Sequence, residues 1–226
     1  MNLNDIKDIP GIDQYTIDKL QHVTDISQLR TGQWDHLLST ESIRYIYHPP
    51  DRNIPREFID KLIPTFPRIY ETEVFVTGDY ARLQPTVDSV CVLIVTQKIT
   101  DYNMFLNLFT DRYKSTVIRK DIHCTQLIAE IERYSIQFDF HYATQQSKAT
   151  MLLYTIGPKS FFDYMVQRAR DIHGARYVLT QHDLTKYPAT GIYVKKKEIH
   201  VKSEQDIFKH LNMTYINPHE RYTTPI

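Results

Sequence analysis

The sequence predicts an α+β fold in which short helices precede a mixed sheet. Residues 74–76 form a β-branched and aromatic run, and Val90–Val95 is a continuous apolar run of strand length. Such a continuous run is typical of a central strand that is covered on both faces. Residues 135–142 alternate between apolar and polar side chains, which indicates another strand with one open face.

Helical spacing is found on both sides of the first two runs. An apolar stripe at Ile17, Leu20 and Val23 predicts short helices within residues 3–30. A further helix is predicted over residues 101–109, with four apolar side chains turned inward: Met104, Phe105, Leu108 and Phe109. Between residues 112 and 134 the pattern is weaker. Short strands are predicted around residues 115–119, whereas residues 126–134 fit either a helix or a strand.

The composition is that of a folded protein, because 42% of the residues are hydrophobic and 24% are charged. No apolar run approaches the roughly 20 residues that a membrane-spanning helix needs, so we predict no membrane contact. The first residues lack the basic-then-apolar pattern of a secretion signal. We therefore expect an intracellular protein of the cytoplasm or nucleus, or of a virion, with Cys91 and Cys124 as free thiols.

Charge is balanced overall but unevenly distributed. The chain has 27 basic and 27 acidic residues, whereas proteins that bind nucleic acid usually carry an excess of basic residues. Residues 145–226 hold 12 Lys and Arg against 7 Asp and Glu. A duplex held by charge alone would therefore contact the C-terminal third.

The stretch 74–96 resembles the palm of the X-family DNA polymerases. In that family a strand ends in a Gly-Ser turn, an arginine follows, and an Asp-x-Asp pair enters the next strand. Here Gly78 and Arg82 match the turn and the arginine, and Asp79 replaces the small hydroxyl residue that holds nucleotide phosphates. Ser89 and Cys91 stand where the resemblance implies the two aspartates that bind two Mg²⁺ ions.

The resemblance extends to residues nearer the C-terminus. Asp139 occupies the place of the third catalytic aspartate, although a lone aspartate on an open strand face is otherwise unremarkable. Tyr154 and Gly157 stand where the family holds the nucleotide sugar, and Phe162 stands where the family has the asparagine that reads the base edge. Residues 210–221 match the family's ending, Leu-x-x-x-Tyr-x-x-Pro-x-x-Arg.

Two candidate DNA contacts follow from the resemblance. Gly11 lies in a turn similar to a helix-hairpin-helix, whose backbone N–H groups meet a DNA phosphate in the family. Asp13 replaces the second glycine there and would repel a phosphate, so a simple helical packing unit remains an alternative. Lys195, Lys196 and Lys197 lie in a predicted hairpin, either against a phosphate backbone or on a solvated face.

The resemblance covers nearly the whole chain. It implies helical fingers over residues 1–50, a nucleotidyltransferase palm over 51–150 and a thumb over 151–226. The separate N-terminal lyase domain of longer family members has no counterpart in this sequence.

The substitutions predict that the nucleotidyl transfer chemistry is lost. Mg²⁺ prefers oxygen ligands; Ser89 offers one neutral oxygen and Cys91 a soft sulfur. Asp88 does not substitute, because period-two alternation from Cys91 turns it to the other face. We therefore expect no metal, no cofactor and no catalytic residue.

Three functions remain open. The first is a structural or interaction subunit of a larger assembly, such as a virus particle or a replication complex, with protein partners. The second is a repair or replication accessory protein that retains binding to duplex or gapped DNA. The third is an active polymerase with unusual metal ligands. The 16 tyrosines fit a protein interface, where aromatic residues are enriched, although many tyrosines also pack in cores.

Overall fold

A computed structural model describes Ile6 and residues 9–170, 175–188 and 197–221. The first helices, joined by short 3₁₀ segments, are α1 (Gln14–Lys19) and α2 (Thr40–Tyr47). Asp13 caps α1 by accepting a hydrogen bond from the Thr16 N–H at 2.8 Å. Leu20 and Val23 of the predicted apolar stripe are buried in a small core with Ile46, whereas Ile17 is only partly buried and lies outside this core.

The middle of the chain alternates strands and helices. Its elements in order are β1 (Ile54–Pro55), α3 (Arg56–Leu62), β2 (Glu73–Val76), α4 (Gly78–Ala81), β3 (Thr86–Val87), β4 (Val90–Val95), α5 (Ile99–Arg112), β5 (Ser115–Lys120), β6 (Cys124–Ile131) and β7 (Tyr134–Ala143). Residues 115–120 and 124–131 are therefore strands, which decides the open interpretation of residues 126–134 in favour of a strand that ends at Ile131.

Five of these strands form one mixed sheet in the order β2-β4-β7-β6-β5. The pair β4 and β7 is parallel, and the other neighbours are antiparallel. The sequence runs 74–76, 90–95 and 136–142 are thus neighbours, as predicted. Ile136, Phe138 and Phe140 are fully buried, whereas Asp139 and His141 between them are partly exposed.

Helix α5 covers the apolar face of this sheet. Tyr102, Phe105 and Phe109 are buried against it, and Phe109 packs edge-on to Phe138 and Phe140 at 4.9 Å between ring centroids. The prediction that Met104 and Leu108 face inward is wrong, because these side chains are 47% and 45% exposed. The helix lies on the sheet along the neighbouring face, through Tyr102 and Leu106.

The C-terminal part has its own core. Its elements are α6 (Lys148–Ile156), α7 (Lys159–Arg170), β8 (Ala175–Leu179), β9 (Leu184–Pro188), β10 (Lys197–Ile199) and α8 (Glu204–His210), and the three strands form an antiparallel sheet. Arg221 is fully buried in this core and donates to Glu204 at 2.9 Å. No helix in the described residues is both long and apolar enough to span a bilayer.

Candidate functional site

The parallel pairing of β4 with β7 sets Cys91 directly beside Asp139. Val90 and Val92 are buried, so the period-two alternation turns Cys91 to the open face of the sheet, where Asp139 also lies. Ser89 immediately precedes the strand and is partly exposed. Ser89, Cys91 and Asp139 were expected to lie close together at one end of the sheet, and the register confirms this for Cys91 and Asp139.

Amide groups surround the Asp139 carboxylate. Its Oδ1 accepts hydrogen bonds from Gln126 Nε2 at 2.8 Å and from Gln137 Nε2 at 3.1 Å. Gln126 is the cross-strand neighbour of Asp139 on β6, and Gln137 is two residues earlier on the same face. The neighbours that hold this carboxylate are neutral donors and not a second carboxylate.

The two thiols near Asp139 stay protonated at neutral pH. Burial raises the pKa of Cys91 to about 12, and the negative charge of Asp139 adds to the rise. The pKa of Cys124 is also raised to about 12, again by burial first and by Asp139 second. Since the thiolate is the nucleophile, neither cysteine is activated for nucleophilic chemistry.

The residues here do not fit the two Mg²⁺ ions that the family resemblance implies. One carboxylate, one protonated thiol and one hydroxyl replace three carboxylates, and Mg²⁺ favours several oxygen ligands in octahedral order. Within the part of the chain that the structure describes, no three His, Cys, Asp or Glu side chains are arranged to bind a metal ion.

The glycine turn lies over the start of β4. Gly78 has a left-handed φ of +64°, and a Cβ at this position would lie 3.2 Å from the Cys91 Cβ. The Thr77 N–H donates to the Cys91 carbonyl at 2.8 Å, which fixes the turn on the strand. A glycine is required here by backbone conformation and by close packing.

The charges of this turn are paired with each other. Arg82 donates one guanidinium N–H to the Asp79 carboxylate and another to the Ile156 carbonyl at the end of α6. The Arg82 side chain is only 11% exposed. Asp79, which the sequence suggested would repel a triphosphate, thus has a structural partner, and Arg82 joins the turn to the C-terminal part.

The C-terminal residues that the resemblance places at a nucleotide, Tyr154, Gly157 and Phe162, follow this turn in the structure. Gly157 has a φ of +50°, and a Cβ there would lie 3.4 Å from Arg82 Nη1. Tyr154 and Phe162 meet edge-on with their ring centroids 5.1 Å apart. Phe162 is 8% exposed and belongs to the C-terminal core, so its ring packs against protein.

An open cleft of about 640 Å³ lies between the sheet and the C-terminal part. Cys91, Asp139 and Tyr154 line it, together with four residues that the sequence did not single out for this site: Gln126, His141, His123 and His182. The His123 and His182 rings lie 5.0 Å apart. Burial lowers the pKa of His141 below its ordinary value, with the Asp139 charge acting in the opposite direction.

Gly11, the first of the candidate DNA contacts, is not among the residues that line this cleft. Gly11 has a φ of +77°, and a Cβ there would lie 2.3 Å from Ser39 Oγ, so the turn packs against the start of α2. Ser42 Oγ donates to the Pro10 carbonyl at 2.8 Å in the same contact. Lys195 and Lys196 lie outside the described residues, and Lys197 is the first residue of β10.

The fold and the cleft define a mixed α+β protein whose open sheet face meets a separate C-terminal core. Residues 151–222 match the family model of the DNA polymerase beta thumb. The match covers about a third of the chain and supports a polymerase X-like protein. No curated protein matches the sequence.

Proposed function

We propose that this chain is a polymerase X-like protein without nucleotidyl transfer activity, which serves as a structural or interaction subunit of a larger assembly. The proposal includes fingers-like residues 1–50, a palm-like region over 51–150 and a thumb-like region over 151–226. The observation that best supports the loss of activity is the strand register that places Cys91 beside Asp139. Transfer by two metal ions needs carboxylates that hold both ions between attacking and leaving oxygens, and one carboxylate is left.

The surroundings of that carboxylate support the same proposal. The Oδ1 atom of Asp139 already accepts from Gln126 and Gln137, so this oxygen is engaged by neutral amides and not by a cation. The pairing of Arg82 with Asp79 also leaves less positive charge for a triphosphate. These contacts stabilise the fold, but the positions that carry catalysis in the X-family polymerases no longer hold catalytic groups.

A primer-extension assay tests the loss of activity. Purified protein with a primed template, four nucleotides and Mg²⁺ or Mn²⁺ should add no nucleotide above a control without protein. Replacing Ser89→Asp and Cys91→Asp together need not restore extension, because Asp79 and Phe162 remain. Template-dependent extension that disappears in Asp139→Ala but persists in Asp163→Ala, an exposed carboxylate on α7, would contradict the proposal.

A second function is favoured by the thumb match together with the basic surplus of residues 145–226, which carry 12 Lys and Arg against 7 Asp and Glu. In this alternative the chain binds duplex or gapped DNA without extending it. Affinity would then fall steeply with salt: for each phosphate contact, the logarithm of the association constant decreases by about 0.9 for every tenfold rise in salt concentration. We expect only weak binding, on the order of 10⁻⁴ M at physiological salt, because the net charge is zero.

Replacing Lys195, Lys196 and Lys197 by Ala separates the two functions. If these lysines neutralise phosphates, the slope of log K against log salt should become shallower by up to about three in the triple variant. If the chain is an assembly subunit, the triple change should alter little. Submicromolar binding of gapped DNA at physiological salt would favour the DNA-binding alternative.

A further inference from the structure

Two turns from different parts of the molecule meet at the cleft. The turn between β5 and β6 carries His123, the turn between β8 and β9 carries His182, and both side chains line the cleft. Their ring centroids lie 5.0 Å apart, with an angle of 51° between the ring planes. This contact therefore joins the five-stranded sheet to the C-terminal part.

The turn on the sheet side is held by its own hydrogen bonds. Asp121 Oδ1 accepts from the backbone N–H groups of His123 at 2.9 Å and of Cys124 at 2.7 Å. The Tyr142 N–H donates to the His123 carbonyl at 2.9 Å, and the Tyr142 ring lies nearly parallel to the imidazole with centroids 6.0 Å apart. The place of His123 on the sheet is thus fixed without help from His182.

The turn on the C-terminal side is also closed by its own hydrogen bonds. The Thr180 N–H donates to the Asp183 carbonyl at 2.9 Å. Thr180 Oγ1 accepts from the N–H groups of His182 at 3.1 Å and of Asp183 at 3.0 Å. Since each turn is closed within itself, the loss of the ring contact would separate the two turns without unfolding either.

The surroundings of His182 suit a neutral imidazole. Gln181 Nε2 lies 3.0 Å from His182 Nε2, and an amide nitrogen only donates, so in this orientation the imidazole nitrogen accepts and carries no proton. Burial lowers the pKa of His182, and a positive charge on His123 lowers it further, whereas Asp183 acts in the opposite direction. His182 is therefore neutral at pH 7 while the two turns are in contact.

The carboxylates around the two rings already have other partners. Asp121 faces Arg119 at 3.4 Å, Asp183 accepts from Thr180 Oγ1 at 2.6 Å, and Asp139 accepts from two glutamine amides. These partners weaken the compensation that the carboxylates offer to an imidazolium. Burial raises the pKa of four further neighbours, which stay uncharged between pH 5 and pH 8: Cys91, Cys124, Tyr142 and Tyr154.

A proton on each ring opposes the contact. Histidines change their charge between pH 5 and pH 8, and a proton on His141 in the same cleft would add to the positive charge. Two unit charges 5.0 Å apart disfavour a contact about fourfold at the dielectric constant of water, and more in less polar surroundings. The separated arrangement binds more protons, so acid favours it.

We propose that the contact between His123 and His182 is a pH-sensitive closure of the cleft, which holds the two turns together when both rings are neutral and separates them when both are protonated. The inference goes beyond the proposed function and does not depend on it. Primer extension reports on chemistry in the cleft, whereas the test below reports on access to the cleft, so either proposal can fail without the other.

The two cysteines of the chain report on the opening, because both line the cleft. Their rate of reaction with dithiodipyridine is measured at pH 7.5 and pH 5.5, and each rate is divided by that of N-acetylcysteine at the same pH. All three thiols titrate above this range, so the ratio removes the intrinsic pH dependence of thiol reactivity. The ratio should be about two- to fourfold higher at pH 5.5 than at pH 7.5.

Three variants assign the effect. His123→Asn and His182→Asn each remove one partner of the contact, and either should abolish the rise at pH 5.5. His200→Asn is the matched control at an exposed position outside the cleft lining, and it should retain the rise. Titration of the His182 ring by NMR gives a second readout: His123→Asn should raise the pKa of His182, because a like charge is lost.

Three results would overturn the proposal. The first is an equal ratio at both pH values in the unaltered protein. The second is a rise that both asparagine variants of the contact retain, because the acid sensitivity would then lie elsewhere, for example in partial unfolding. The third is an unchanged pKa of His182 in His123→Asn, because the two rings would then not respond to each other's charge.

Discussion

The buried ion pair of the C-terminal core and the open carboxylate of the cleft show how differently two charged sites are constrained. Arg221 is enclosed by the rings of Phe161, Phe208 and Tyr215 and is paired with Glu204 at 2.9 Å. Asp139 is partly exposed and meets neutral amides. A buried charge that loses its partner costs several kcal/mol, whereas an open position accepts serine or cysteine at little cost.

This difference in burial would explain why the sequence keeps the arginine of the family's C-terminal pattern but has other residues where the resemblance implies aspartates. The terminal arginine holds the fold together, so its replacement would destabilise the C-terminal core whatever the protein does. Asp139 in the cleft meets two neutral amides and no buried cation, so we expect it to contribute less to folding. Burial with a partner, more than residue type, should therefore set the cost of each substitution, and four predictions test this statement in order of decreasing effect.

The largest effect is expected at Arg221. Arg221→Met leaves Glu204 buried without its cation, and we expect a loss of about 3–5 kcal/mol in the free energy of unfolding, measured by urea denaturation. The double variant with Glu204→Met should recover part of that loss, because no buried charge then remains unpaired.

Lys159→Met is the matched control, since it breaks an exposed pair with Asp163 on α7. It should leave the unfolding midpoint unchanged. Equal losses for Arg221→Met and Lys159→Met would contradict the role given to burial.

A smaller effect is expected at Arg82, which joins the Gly78 turn to the end of α6. Arg82→Ala removes its hydrogen bonds to Asp79 and to the Ile156 carbonyl, and we expect a loss of about 2 kcal/mol in thermal unfolding. Arg119→Ala is the control at the cleft's other side, where an exposed pair with Asp121 is worth below about 1 kcal/mol. A neutral Arg82→Ala would show that the two parts do not depend on this link.

How much of this was predictable from sequence depends on the range of the interaction. The central position of Val90–Val95 follows from its unbroken apolar run, and the open face of residues 135–142 follows from local alternation. The position of Gln126 beside Asp139 does not follow from any local pattern, because only the antiparallel register of β6 and β7 brings the two residues together. Likewise the sequence names Asp79 and Arg82 separately, whereas their pairing depends on the turn between β2 and β4.

A third prediction concerns His141, a half-buried residue of the cleft. Burial lowers its pKa, so between that lowered value and the unfolded value of about 6.5 the unfolded state binds more protons. The contribution of neutral His141 to stability is complete above the unfolded pKa of about 6.5. It falls as the pH decreases from that value towards the lowered pKa of the folded state. The slope is at most about 1.4 kcal/mol per pH unit.

The measurement is thermal unfolding between pH 7.5 and pH 5.5, above the window in which the Glu73 carboxylate titrates. His141→Gln should reduce the stability loss over this range, whereas His200→Gln, at an exposed position, should not. An unchanged pH profile in His141→Gln would place the acid sensitivity elsewhere, with His182 the next candidate, because burial lowers its pKa too.

The smallest effect is expected on α5, where apolar character and burial separate. Met104 and Leu108 are apolar but about half exposed, whereas Phe105 between them is fully buried. Helical spacing cannot distinguish the two faces, since both carry apolar residues at intervals of three or four. If burial sets the cost, Met104→Gln with Leu108→Gln should change the free energy of unfolding by no more than about 0.5 kcal/mol.

Phe105→Ala on the same helix is the control for this double change. It removes a ring that contacts Phe66 and Phe140 and should cost about 3–5 kcal/mol in urea denaturation. A double glutamine variant that loses as much as Phe105→Ala would mean that the exposed pair is covered in solution, for example by another copy of the chain. Light scattering on the same samples separates that result from a simple packing loss, because a covered surface changes the molecular mass when it is made polar.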